Sequence, residues 1–432
     1  MQRLRPRSGT SHRVPAMTDT GNMPSVPLGG EPVPDDGSLP AGSLAGVGAR
    51  PLGVYVHVPF CVTRCGYCDF NTYTAEELRS RDGGATASRE TYTDLAAAEI
   101  GLARRVLGPA DAPVRTVFVG GGTPTLLSPQ DLGRVLSAID AEFGLEPGAE
   151  VTTEANPETV DRDYLLRLRD AGFTRVSFGM QSARPHVLSV LDRAHTPGRP
   201  QDCVAWAREA GFDHVNLDLI YGTPGESDAD WKESLQAAIA AGPDHVSAYS
   251  LIVEEGTRLA ARVRRGELAP PDDDAMADRY LMADDLLTAA GLHWYEVSNW
   301  AADETGRSRH NLLYWTGGDW WGVGPGAHSH VGGTRWWNVK HPAAYAARLA
   351  DGRAPGQARE VLDDEDRRFE RIMLELRIAD GCPLDLLDGS GRAAAARAVA
   401  DGLLDPDAHA RGLAVLTRRG RLLADAVVRD LS

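Results

Sequence analysis

Three cysteines stand within eight residues, Cys61-Val-Thr-Arg-Cys65-Gly-Tyr-Cys68, spaced C-x3-C-x2-C and preceded by the strand-like run Val54-Tyr-Val-His-Val58. Of the five cysteines in the chain only Cys203 and Cys382 lie elsewhere, each isolated and read as a small buried apolar side chain. Thiolates this close can bind a soft metal together. A structural zinc site wants four closed ligands, and no fourth cysteine or Cys-His pair follows at zinc-finger spacing. A disulfide is disfavoured by the odd cysteine count and by the lack of a secretory signal. A 4Fe-4S cluster usually takes four cysteines, so three leave one iron open to a ligand from outside the chain. The spacing favours that cluster, with zinc or inert thiols as the alternatives.

The elements that must position this loop are legible as apolar runs alternating with helical patterns from residue 51 onward. Strands are expected over residues 54–59, 115–120, 150–155, 175–180, 214–221 and 245–252, and helices over 89–107, 129–143, 160–171, 199–210 and 228–241. Gly172 and Gly211 follow the third and fourth helical patterns, as glycines do at helix ends. This succession of βα units implies parallel strands with right-handed crossovers. The expected fold class is therefore α/β, a partial (β/α)6 barrel of TIM type, with an open doubly wound sheet as the alternative. In parallel α/β folds the C-terminal strand ends build the ligand site. Polar and glycine residues gather there: the cysteine loop, Gly120-Gly121-Gly122-Thr123, Glu154-Ala-Asn156, Gln181-Ser182, Asp218 to Gly222, and Ser250. Consecutive glycines let the backbone approach a ligand closely, and Arg193 can answer a carboxylate with a two-pronged contact.

Taken together, Tyr55-Val-His-Val-Pro-Phe-Cys61, Gly120-Gly-Gly-Thr-Pro-Thr125, Glu154-Ala-Asn-Pro157, Ser177-Phe-Gly-Met-Gln-Ser182, Leu191-Asp-Arg-Ala-His195 and Asn216-Leu-Asp-Leu-Ile-Tyr-Gly222 resemble the oxygen-independent coproporphyrinogen III oxidase family of radical-SAM proteins, over about residues 51–430. The resemblance implies a radical-SAM barrel and a 4Fe-4S cluster on Cys61, Cys65 and Cys68. S-adenosyl-L-methionine (SAM) would chelate the open iron, in contact with Tyr55, Gly121, Gly122, Thr123, Glu154, Gln181, Arg193, Asp218 and Ser250. Its decarboxylating branch carries one more cysteine, C-x3-C-x2-C-x-C, where this chain has Cys68-Asp69-Phe70. That difference resembles the other branch, the haem chaperones called HemW, and Arg309-His310-Asn-Leu-Leu-Tyr314-Trp315 is similar to the HNxxYW motif of that branch. The resemblance implies haem as ligand, haem-accepting apo-proteins (respiratory and membrane-associated ones among them) as partners, and His310, Tyr314 and Trp315 as haem candidates. His328 and His330 rank behind them, and His57 in the first strand is a candidate neighbour of the cluster or of SAM. The alternative activity is a coproporphyrinogen III dehydrogenase that uses a 5′-deoxyadenosyl radical.

The expected division is a disordered Gly/Pro/Ser-rich extension over residues 1–50, the barrel over 51–255, a barrel extension with a Trp-rich loop region over 256–360, and a small winged-helix-like helical domain over 361–432. With 61 acidic against 45 basic residues the formal net charge is −16, which argues against nucleic acid as a partner. No run of 18 apolar residues reads as a membrane span, so a cytoplasmic protein is expected, with a homodimer as one arrangement.

Overall fold

Six apolar runs become the parallel strands β1 (Leu52–Val58), β2 (Val114–Gly121), β3 (Leu145–Ala155), β4 (Arg175–Gln181), β5 (His214–Tyr221) and β6 (His245–Ser250), hydrogen-bonded in chain order. The computed structural model describes residues 30–78 and 88–432. These strands are buried almost along their whole length, as strands covered on both faces must be. Helices α1 (Arg89–Leu107), α2 (Pro129–Phe143), α3 (Arg162–Asp170), α4 (Arg199–Glu209) and α5 (Asp228–Ala241) follow β1 to β5. Their starts are set by side-chain caps: Ser128 Oγ accepts the Asp131 N–H, Asp161 accepts the Tyr164 N–H, and Ser227 and Asp230 cap each other reciprocally. Gly172 and Gly211 end α3 and α4 with φ of 104° and 82°, which a side chain would resist. Within these six strands the order never reverses, unlike that of a doubly wound sheet. The arrangement is the barrel-like succession of parallel strands that was expected.

The sheet continues beyond these six strands. After α6 (Asp273–Ala289) come β7 (His293–Glu296), β8 (Asn299–Ala301), the helix α7 (Arg309–Trp315), β9 (Asp319–Val323), β10 (His328–Val331), β11 (Thr334–Asn338) and β12 (Gly356–Val361). Strand β9 lies parallel to β1, extending the parallel set to seven, and β10 to β12 add to it antiparallel. On the other side β8 pairs antiparallel to β6, and β7 pairs antiparallel to β8 at the sheet edge. The Trp-rich segment is thus sheet rather than the loop region expected: its strands are only three to five residues long and broken by glycines, so their alternation is hard to see. Trp321, Trp336 and Trp337 are buried within it, Trp321 and Trp336 edge to face at 4.8 Å.

A second correction concerns the start of the chain. Residues 30–50, expected to be disordered, carry a short strand at Glu31–Pro32 paired with β12 and a helical turn at Ala41–Leu44. Ser43 Oγ meets Thr334 Oγ1 of β11 at 2.7 Å, and Arg50 Nε donates to Asp319 of β9 at 2.8 Å. The expectation for residues 1–29 lies outside the described residues.

The main core lies between the sheet and its helices, and a second apolar cluster gathers Ile372, Leu376, Cys382, Leu387, Leu404, Val428 and Leu431. In this C-terminal unit Cys382–Pro383, between the helices Asp364–Glu375 and Gly389–Ala400, pairs with Leu413–Ala414 ahead of the last helices. Cys203 and Cys382 are both fully buried, in keeping with apolar roles.

The extension is locked to the barrel by a buried carboxylate. Glu99 on α1 accepts the Gly324 N–H at 2.8 Å, the Asn338 amide at 2.7 Å and the Tyr345 hydroxyl. Three donors offset part of the cost of its burial, and burial still outweighs them, leaving the carboxyl raised to about 7.

Candidate functional site

One cavity of about 1550 Å³ opens at the C-terminal ends of the parallel strands. It is larger than the roughly 300–1,000 Å³ of a site for a single small ligand. Cys61, Cys65 and Cys68 line it, together with Tyr55, Gly121, Gly122, Thr123, Glu154, Gln181, Arg193, Asp218 and Ser250. The fold therefore brings every residue expected for the cluster and SAM into one space.

The cysteine loop leaves β1 and is pinned to the glycine turn after β2. Gly122 N donates to Val58 O at 2.8 Å, and Thr123 N to Phe60 O at 2.8 Å. A Cβ on Gly122 would stand 2.5 Å from Phe60 O, and one on Gly121, whose φ is 109°, 2.7 Å from the His57 ring. Only glycine fits there. The three thiols are free. Thr123 Oγ1 points at Cys61 Sγ (3.9 Å) and Arg193 Nη1 at Cys65 Sγ (3.6 Å), so donors already face two of the sulfurs. Burial raises the Cys61 thiol and pushes Cys68 up to about 12. A bound metal cation would offset the thiolate charge that burial penalises. Among the described residues no three His, Cys, Asp or Glu side chains converge on one metal-ion position.

The same cavity carries a polar wall drawn from the strands and the loop after β4. Glu154 Oε2 accepts the Gly121 N–H at 3.0 Å, and burial, reinforced by the Asp218 charge, pushes its carboxyl up to about 8. Asp218, also raised by burial, accepts from Ser177 Oγ and Asn216 Nδ2, both at 2.7 Å. Arg193 Nη2 donates to Gly179 O at 2.8 Å, while its buried Nε has no partner. Gln181 ends β4 at φ 63°, a bend rare for a residue with a side chain. An ammonium group entering near Glu154 would draw that carboxyl back to its charged form, and the guanidinium offers a seat to a carboxylate. The donor set fits a zwitterionic amino-acid end beside a three-thiolate cluster.

The haem candidates divide. His310 and Tyr314 line the cavity; Trp315 does not, and Trp320 of β9 presents the indole instead. The His310 backbone N–H donates to the buried Glu150 at 2.9 Å, anchoring the start of α7. Its ring is held at both nitrogens, Nδ1 to Thr116 Oγ1 at 2.8 Å and Nε2 to Tyr314 OH at 2.7 Å. Burial lowers the ring to about 3, so it is neutral. His328 lines the cavity and His330 does not, and His57 is held between Tyr55 OH and Asn71 O, both at 2.9 Å. Sequence reasoning missed Ser177, Asn216, Ser247 and His245 on the floor, and Trp337 and Lys340 at the other side. Polar residues at every second position of otherwise apolar strands, such as Asn216 and Asp218, are the signal that would have found the floor.

With cluster loop, glycine turn and barrel in place, the class is defined: this is a radical-SAM protein. Residues 55–238 match the Radical SAM superfamily. The solved structure of Escherichia coli coproporphyrinogen III oxidase, described as a radical SAM enzyme, superposes with a TM-score of 0.75 over 90% of this chain and 92% of that one, at 24% identity, a likeness of fold. The heme chaperone HemW of Mycobacterium tuberculosis is 54% identical over 389 residues, covering 90% of this chain and 96% of that protein. The heme chaperones HemW of Escherichia coli and Bacillus subtilis are 34% and 32% identical over 77% and 76% of this chain, covering 84% and 83% of their own lengths. The chain belongs to the HemW family.

Proposed function

We propose that this protein is a haem chaperone that binds haem and delivers it to haem-requiring apo-proteins, respiratory ones among them. The observation that carries this reading is the near full-length likeness to heme chaperones, and Phe70 in the cavity wall agrees with it. Phe70 puts a phenyl ring where the decarboxylating branch of the resemblance has a further cysteine. In this reading Cys61, Cys65 and Cys68 hold a 4Fe-4S cluster. Arg193 seats the carboxylate of SAM, Glu154 its ammonium or ribose, and the Gly121-Gly122-Thr123 turn lies against it, with Tyr55, Gln181, Asp218 and Ser250 completing the wall. When bound, such a cluster supplies an iron open to an outside ligand and a one-electron donor.

Haem is accommodated against the aromatic lining of the cavity, where Tyr314 and Trp320 stand edge to face at 4.6 Å. No helix among the described residues is long and apolar enough to cross a membrane. We place the protein in the cytoplasm, meeting its acceptors there or at a membrane surface.

The deciding experiment is transfer from haem-loaded, anaerobically purified protein to a purified apo-cytochrome, followed by its absorption spectrum. Growth of the holo-cytochrome spectrum is expected; haem that stays put sinks the chaperone reading. Incubation with SAM, reductant and coproporphyrinogen III should yield no protoporphyrinogen, and product formation would make the protein an enzyme instead. Replacing Cys61, Cys65 and Cys68 together by serine should strip iron and acid-labile sulfide, and metal retained by that variant overturns the cluster assignment.

A further inference from the structure

Five histidines line the cavity, and the fold has already spent the accessible ring nitrogens of four. His57 is held at both nitrogens by Tyr55 OH and Asn71 O. His245 is held by Asn216 Oδ1 at 2.6 Å and Tyr295 OH at 2.8 Å, and His310 by Thr116 and Tyr314. His195 engages Met180 O through Nε2 at 2.8 Å, and its Nδ1 is sealed from the cavity and from solvent. His328 is the exception: neither ring nitrogen has a hydrogen-bond partner among the described residues, and neither is sealed in the protein.

The surroundings of His328 suit a flat, apolar, doubly anionic metal complex. The residue opens β10, directly across from Trp337 of β11, and the two rings stack at 5.9 Å between centroids and 24° between planes. Its backbone is fixed as well: His328 O accepts the Trp320 indole N–H at 3.0 Å. Of the two indoles that line the cavity, Trp337 thus stacks on the His328 imidazole, while Trp320 holds its backbone carbonyl and packs its own ring on His330 at 5.1 Å. Lys340, one of only two lysines in the chain, lines the same wall and makes no ion pair with any described carboxylate. Its ammonium is free to meet a carboxylate brought in by a ligand, with Asp69 the acidic group nearest in effect. Burial, assisted by Lys340, lowers His328 to about 4, so the ring is neutral, the form in which imidazole binds a metal.

Resting on the haem-chaperone reading, we infer that His328, rather than His310, supplies the axial nitrogen to haem iron, with Trp337 against the porphyrin and Lys340 toward a propionate. His310 then positions Tyr314 and touches no iron. The GPGAH stretch over residues 324–328 is the ligand-bearing segment, and the HNxxYW helix is its support.

The test is haem titration of the anaerobically purified full-length protein, read by absorption and low-temperature electron paramagnetic resonance. His328→Gln should weaken haem binding at least tenfold and abolish the imidazole-ligated signature. His328→Cys should retain haem and move the Soret band and g-values to those of thiolate ligation, which a merely misfolded variant cannot do. His330→Gln, outside the cavity, should leave affinity and spectrum as in the unsubstituted protein. An unchanged spectrum in both His328 variants, or loss of the imidazole signature in His310→Gln while His328→Gln keeps it, overturns the assignment and leaves the chaperone reading standing. Unsubstituted protein that takes up no haem overturns that reading itself.

Discussion

His310 is where residue type and residue environment part. A histidine beside Tyr and Trp in a recognisable motif invites a ligand role, yet its two nitrogens are taken by Thr116 and Tyr314, a pairing across 194 residues of chain in the first case. Burial with both nitrogens satisfied favours the neutral ring and lowers it from 6.5 to about 3. A depressed folded-state value means the stabilisation is fully present above pH 6.5 and drains away as pH falls from 6.5 toward 3. The unsubstituted protein should therefore lose stability faster than His310→Gln over that window, by up to about 1.4 kcal/mol per pH unit. Denaturant unfolding at a series of pH values measures the difference, and parallel curves would show that the ring titrates freely.

Elements explain which parts of the site were readable. The six barrel strands were found because each is an apolar run with polar or glycine residues at or just beyond its C-terminal half, and Cys61, Gly121, Glu154, Gln181, Asp218 and Ser250 lie there. Strands β9 to β11 were read as loop because Gly322, Gly324 and Gly326 interrupt the tryptophans, and those glycines prove to be packing devices. A Cβ on Gly322 would stand 2.1 Å from His328 O, so only glycine lets β10 lie against β9. Gly322→Ala should cost about 1–3 kcal/mol by forcing the strands apart. It should also displace His328, so reduced haem uptake is expected alongside a lower unfolding midpoint. A variant with unaltered stability and uptake would mean that the hairpin tolerates the shift.

At the scale of the whole molecule, buried polar groups decide how the parts are held together. Asp284 on α6 accepts the Trp300 indole N–H of β8 at 3.0 Å and Arg421 of the C-terminal unit at 3.0 Å, and it forms an ion pair with Arg418 at 3.1 Å. Arg421 also lies over the Trp294 ring at 4.2 Å. One carboxylate thus clamps barrel edge, helix and C-terminal unit. Asp284→Ala should cost about 2–3 kcal/mol, less than the roughly 3–5 of a fully buried pair because Arg418 stays partly in water. Limited proteolysis should then cut first around the C-terminal unit; cleavage rates equal to those of the unsubstituted protein would show that the two cores are joined by other contacts.

The sequence by itself determined the cluster loop, the parallel strands and the set of residues at their ends, because strand periodicity and C-terminal placement are local consequences of the covalent chain. It also carried the family, through motifs spread over most of its length. Tertiary structure alone decided that residues 30–50 and the Trp-rich segment join the sheet, that Trp320 and not Trp315 faces the cavity, and which histidine keeps an open nitrogen. Those outcomes depend on hydrogen bonds and packing between residues far apart in the chain, and no local pattern records whether a donor's partner has already been taken.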